Sequence, residues 1–187
     1  ADWSNVIAQL AVVIAFCSLA VNAQTRSNCQ PSPPMQPNAK PGIGGLSLSR
    51  DGKTLLVAAG DGKIRFIDLD TGEIKRTLTG HTNMVYTAVL SPDEKLLASS
   101  SRDNTARVWD VASGRELHVL GGFRCSVKAV AFSPDGRLVA ASGNDGMLKV
   151  WDVKTGKELK SLVHSDLPDS DMSTYALVFS RDGKQIY

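Results

Sequence analysis

His81, Ser99 and Asp103 are the three residue types of a hydrolytic triad, gathered in one short stretch of the chain. Such chemistry needs the groups within hydrogen-bond reach of one another and an oxyanion hole beside the nucleophile. No Gly-x-Ser-x-Gly elbow surrounds Ser99, so only the residue types speak for a nucleophile. The other histidines build no metal site, because His118 and His164 are 46 residues apart and no spacing matches a zinc motif. Asp-Gly steps recur at Asp51, Asp61, Asp135, Asp145 and Asp182. They would suit calcium-binding repeats, but they fall where hairpin geometry already asks for that dipeptide. Asp166, Asp169 and Asp171 gather around Leu167 and Pro168. An acidic loop of this kind meets a basic partner or a hard cation, or is simply solvated. No residue set specifies a cofactor or a bound metal, and none is expected.

The chain has 187 residues, 42% of them hydrophobic and 21% charged, with a net charge of +2. That balance suits a soluble globular protein and is too mild to point to nucleic acid or a membrane surface as partner. Near the start, Val6 to Val21 is an apolar run broken only by Gln9, Cys17 and Ser18. It is short for a membrane span of about 20 residues, and Val21-Asn22-Ala23 offers small residues where a signal peptidase reads. Residues 1–23 therefore read as an export signal helix. A membrane anchor over residues 6–21 or a buried helix are the alternatives. The chain opens on Ala1 with no Lys or Arg before the run, as expected of a signal that has lost its basic end. Phe16 is too bulky before Cys17 for a lipoprotein signal. Five prolines from Pro31 to Pro41, with Gly42, make residues 24–42 a linker.

Cleavage after Ala23 would leave Cys29 in the linker and Cys125 beyond it, too few for a disulfide framework. Nothing in the sequence brings them close, so two unpaired thiols are expected. A single Cys29–Cys125 bridge is the alternative in an oxidising compartment.

From residue 46 onward the chain repeats with a step of 42. Ser49-Arg50-Asp51-Gly52 recurs as Ser91-Pro92-Asp93-Glu94 and Ser133-Pro134-Asp135-Gly136, and Ile67-Asp68 recurs as Trp109-Asp110 and Trp151-Asp152. A fourth copy opens at Ser180 after 47 residues, so five residues are inserted, most simply between His164 and Met172. The third unit shows the internal pattern best. Val127–Phe132, Leu138–Ser142, Leu148–Val153 and Glu158–Leu162 read as four short strands, separated by Ser133-Pro134-Asp135-Gly136, Asn144-Asp145-Gly146 and Lys154-Thr155-Gly156 turns. The fourth strand is the most polar, as an outer edge facing water should be.

Gly80-His81, Ser-Pro-Asp-Gly and a closing Trp-Asp at this spacing resemble the WD-repeat (WD40) family over about residues 43–187. The resemblance implies an all-β fold, a β-propeller of four-stranded antiparallel blades around a central channel. Blades are expected at about 43–84, 85–126 and 127–172, with an incomplete one at 173–187. It also implies a structural role for His81, Ser99, Asp103 and Trp109, as a buried hydrogen-bonded chain bracing the second blade. The first blade keeps Asp61 but has Val57 and Ile67. The third keeps Asp145 and Trp151 but has Phe123 and Ala141. Polar partners are thus lost in sets, which avoids stranding one buried polar atom. A propeller takes roughly four to eight blades, so three whole units are expected to belong to a larger ring. On their own they would leave blade faces open to self-association.

The function that follows is a non-catalytic interaction scaffold binding other proteins. Its contact face is expected to carry Arg102, Asn104, Phe123, Arg124 and the loop with Asp166, Asp169 and Asp171. The alternative is a propeller enzyme or ligand sensor whose active residues lie in other blades or another domain. The signal places the protein in the periplasm or outside the cell.

Overall fold

The computed structural model describes residues 42–163 and 176–187. The expected signal helix, all but the last residue of the linker, and the acidic loop with Asp166, Asp169 and Asp171 lie outside the described residues.

Three four-stranded sheets follow one another, with no helix among the described residues. The first holds β1 (Ile43–Leu48), β2 (Thr54–Ala59), β3 (Lys63–Asp68) and β4 (Ile74–Thr79). The second holds β5 (Val85–Leu90), β6 (Leu96–Ser101), β7 (Ala106–Asp110) and β8 (Glu116–Leu120). The third holds β9 (Val127–Phe132), β10 (Leu138–Gly143), β11 (Met147–Asp152) and β12 (Glu158–Val163). Within each sheet the strands pair in chain order, all antiparallel. A fourth unit begins as Phe179 bridges Ile186. Expected boundaries in the third sheet shift by one residue: β10 runs on to Gly143, β11 runs from Met147 to Asp152 and β12 runs on to Val163, while the Val153 N–H still meets the opposite Arg137 carbonyl at 2.9 Å.

The turn that closes each first hairpin is built from its own side chains. Ser133 Oγ donates to Asp135 at 2.6 Å and accepts from the Leu138 N–H at 2.9 Å, while Asp135 accepts from the Arg137 N–H at 3.0 Å. Ser49, Ser91 and Ser180 repeat the arrangement. The geometry needs a left-handed residue after the aspartate, as at Gly136 (φ 70°), and in the second unit Glu94 takes that conformation (φ 59°) without being glycine. Its carboxylate also accepts the Arg50 N–H of the first sheet at 2.5 Å, a tie between sheets that offsets the backbone cost.

Successive residues of the second strands explain the stacking. Leu97 and Ala98 point to opposite faces of their sheet, yet both are fully buried. Only a sheet covered on both sides allows that. Leu56, Ala58, Ile64, Phe66 and Leu78 of the first sheet pack against Val85, Ala88, Leu97 and Trp109 of the second. Ala98, Ala106, Val108 and Leu120 then pack against Val127, Val130, Val139 and Trp151 of the third, and Ala140 and Val150 are covered by Phe179. Leu46 and Leu48, which match Ala88 and Leu90 by the repeat, are 60% and 57% exposed, since no sheet precedes the first among the described residues.

Polar ties cross the same seams. Ser47 Oγ donates to the Ala88 carbonyl at 2.6 Å, Ser100 Oγ to the Lys128 carbonyl at 3.2 Å and Arg76 Nη1 to the Ala112 carbonyl at 2.7 Å. The closest approach is at Gly44, where a Cβ would stand 2.0 Å from the Val85 carbonyl oxygen. Backbone cannot yield there, so Gly44→Ala should cost about 1–3 kcal/mol in urea melts. Gly42→Ala, with nothing within 4 Å of the added carbon, should stay within about 0.5 kcal/mol of the parent. Equal effects of the two changes would contradict this seam.

Candidate functional site: the loop-bearing end of the sheets

Antiparallel order puts the first and third turns of every sheet at one end. The second turns and the connections between sheets lie at the other. At this second end the structure brings His81, Ser99, Asp103 and Trp109 together. His81 Nδ1 lies 2.8 Å from Asp103 Oδ2, His81 Nε2 lies 2.8 Å from Ser99 Oγ, and Trp109 Nε1 donates to Ser99 Oγ at 2.8 Å. With the neutral imidazole protonated on Nδ1, every donor points the same way, from indole to hydroxyl to imidazole to carboxylate, and each group is satisfied. The imidazole edge also meets the indole, with ring centroids 6.0 Å apart.

Chemically this set is closed. Ser99 is fully buried, and the His81 side chain is 0% exposed. The Ser99 oxygen already accepts from Trp109, so no substrate reaches it as it would a triad nucleophile. Burial pushes the Asp103 carboxyl up, but hydrogen bonds from His81, the Thr105 hydroxyl and the Thr82 N–H pull harder. The carboxyl is held well below its ordinary 3.8. In the first sheet Asp61 turns instead to Arg65, at 2.5 and 3.1 Å. In the third, Asp145 Oδ2 accepts the Arg124 N–H at 2.6 Å, as Asp103 Oδ2 accepts that of Thr82 at 3.1 Å. The aspartate therefore fixes the loop backbone whether or not a histidine is present. Trp151 keeps an aromatic neighbour in Phe123, 5.9 Å between centroids.

The expected contact residues divide. Arg102 and Arg124 are exposed. Asn104 Nδ2 donates to the Arg124 carbonyl at 3.3 Å and adopts the left-handed conformation (φ 66°) that Gly62 and Gly146 take in the neighbouring sheets. Phe123 is a correction: it is 8% exposed and belongs to the core between the second and third sheets. An apolar residue replacing a buried histidine keeps the histidine's site. A second correction concerns Cys125, which is disulfide-bonded rather than a free thiol. Its partner lies outside the described residues, as do Asp166, Asp169 and Asp171.

One set was missed. Arg65, Arg107 and Lys149 stand 42 residues apart, and each is paired: Arg65 with Asp61, Arg107 with Glu116 at 2.5 Å and Lys149 with Glu158 at 2.9 Å. Glu116 and Glu158 keep the same step, so the signal was in the repeat and lay outside its turns.

Against known families, the WD domain, G-beta repeat, matches residues 72–110 and 114–152. The anaphase-promoting complex subunit 4 WD40 domain matches residues 3–90. No curated protein matches the chain. Among solved structures, that of U3-55K is similar, with a TM-score of 0.63 and 23% identity over 70% of this chain. The match spans 42% of that protein's chain.

Replacing His81 by Ala should cost about 1–3 kcal/mol, since it strands buried partners. A His81/Ser99 double-mutant cycle should show coupling of about 0.5–3 kcal/mol. Because the Asp103 carboxyl is depressed in the folded state, its stabilisation is complete above the ordinary value near 4 and is lost as pH falls through the folded value. Asp103→Asn should therefore lower stability at pH 7, and the gap to the parent should begin to narrow only below about pH 4. Urea melts from pH 7 downward read this, and a gap independent of pH would exclude the charge as the cause.

Proposed function

Because the chain belongs to the WD40-repeat family, we propose that it is a non-catalytic scaffold that binds another protein through the loop-bearing end of its blades. One observation carries the proposal. Arg102 and Arg124 are exposed, while the backbone beneath them is tied down by the Arg102 N–H to the Met84 carbonyl at 2.8 Å and the Arg124 N–H to Asp145. Arginines on a fixed backbone suit recognition, since little main-chain freedom is lost on binding.

Export belongs to the same reading. It is supported by the apolar run from Val6 to Val21 and by the disulfide at Cys125, a bond that persists in oxidising compartments.

A photo-cross-linking residue at position 102 or 124, in the full chain and in an extract of the producing organism, should capture a protein. One at Lys95, exposed at the opposite end, should not. Absence of any adduct from 102 and 124 would count against the scaffold.

A further inference from the structure

The geometry points to the partner's chemistry: an acidic segment of another protein, received by Arg102, Arg124 and Lys128 at the loop-bearing end. The inference rests on the scaffold reading above and specifies what docks there.

Lys128 sits near the start of β9, the first strand of its blade, and its Nζ lies 3.9 Å from the centre of the Tyr86 ring on the neighbouring β5. An aromatic face holds an ammonium in place without neutralising it. Among the described residues, none of the three cations has a carboxylate within ion-pair distance. The carboxylates of this end are already engaged. Asp61 is with Arg65, Asp103 with His81, Asp145 with the Arg124 N–H, and Glu116 and Glu158 with Arg107 and Lys149. Lys63, another exposed cation here, lies beside Asp61 on the first blade. What remains is positive charge without an internal partner, gathered on the second and third blades.

The size and setting of this charge select the ligand. A long polyanion such as a nucleic acid or a membrane surface is met by an extended basic face. This chain carries a net charge of only +2, and the opposite end of its blades presents Asp51, Asp68, Asp93, Asp110 and Asp182. Turn hydrogen bonds, with Lys75 at Asp68, hold those five carboxyls below their ordinary value and keep them charged. Lys53, Lys75, Lys95, Arg115 and Lys184 stand beside those carboxylates, so that end offers no extended basic face, and the cations without an internal partner at the loop-bearing end suit a short run of Asp or Glu.

The test uses the full chain and a fluorescein-labelled hexaglutamate peptide, read by anisotropy, with hexaglutamine as the neutral control. Hexaglutamate should bind and hexaglutamine should not. Arg102→Gln, Arg124→Gln and Lys128→Met should each weaken binding roughly two- to fivefold, the worth of an exposed ion pair. Lys128→Arg and Lys95→Gln should leave it unchanged, and thermal melts of all variants should match the parent. Equal binding of the two peptides, or no loss in any of the three charge-removing variants, overturns the proposal. So does tighter binding of phosphatidylserine vesicles or of an oligothymidylate. If cross-linking at 102 or 124 still captures a protein in those cases, the scaffold stands and only its acidic partner falls. If hexaglutamate binds but no protein is captured, the cationic site stands without the scaffold.

Discussion

A β-sheet whose two faces are both apolar cannot exist alone in water, and every feature of this chain follows from that constraint. The second strands carry it most plainly. In β6, Leu97 and Ala98 face opposite sides and are both fully buried, and Val139 and Ala140 repeat the pattern in β10. The second and third sheets therefore need a neighbour on either side, so the natural form is a stack. Sequence repetition then follows, because a stack of equivalent interfaces asks the same residues of each member.

The chain answers with a repeat that is out of phase with its sheets. The family matches cover residues 72–110 and 114–152. The first therefore joins the outer strand β4 of one blade to the three inner strands β5, β6 and β7 of the next, and the second does the same for β8 and β9 to β11. Every repeat thus spans a seam, and the backbone itself links the surfaces that must be buried against each other. Side chains reinforce the link at both ends of the blades: Arg50 donates to Glu94 and the Pro92 carbonyl at one, and the Asn104 amide holds the Arg124 carbonyl at the other. The cost is confined to positions such as Glu94 and Asn104, where the backbone takes a left-handed turn without glycine.

Strand order and turns could be read from the sequence because periodicity is a local signal that survives substitution. The resemblance to the WD-repeat family, and not the step of 42 alone, assigned His81, Ser99, Asp103 and Trp109 to a buried chain. What resisted reading depends on direction and depth. Phe123 counted as a surface residue because loops are usually exposed, yet it takes over the histidine's buried place against Trp151. The pairs made by Arg65, Arg107 and Lys149 passed unnoticed because charged residues on strands look like solvated faces until their partners are seen. The disulfide at Cys125 joins residues whose separation in sequence says nothing of their distance in space.

The same substitutions show which parts of the polar network are indispensable. Histidine, serine and tryptophan come and go among the three blades, while the aspartate of the second turn is kept in all of them as Asp61, Asp103 and Asp145. Its constant task where the preceding loop is described is to accept that loop's N–H, from Thr82 in one blade and Arg124 in the next. A carboxylate buried for that purpose needs a compensating donor, and the histidine of the second blade and the arginine of the first are two ways to supply it. The third blade keeps the two backbone donors, Arg124 and Met147, that correspond to Thr82 and Thr105 of the second, and Phe123 stands in the histidine's place. Loop position is therefore fixed from within the blade, which frees the outward side chains at 102 and 124 from any structural duty. Residues with no internal work, held on a backbone that cannot move, are the ones a fold of this kind can devote to recognition.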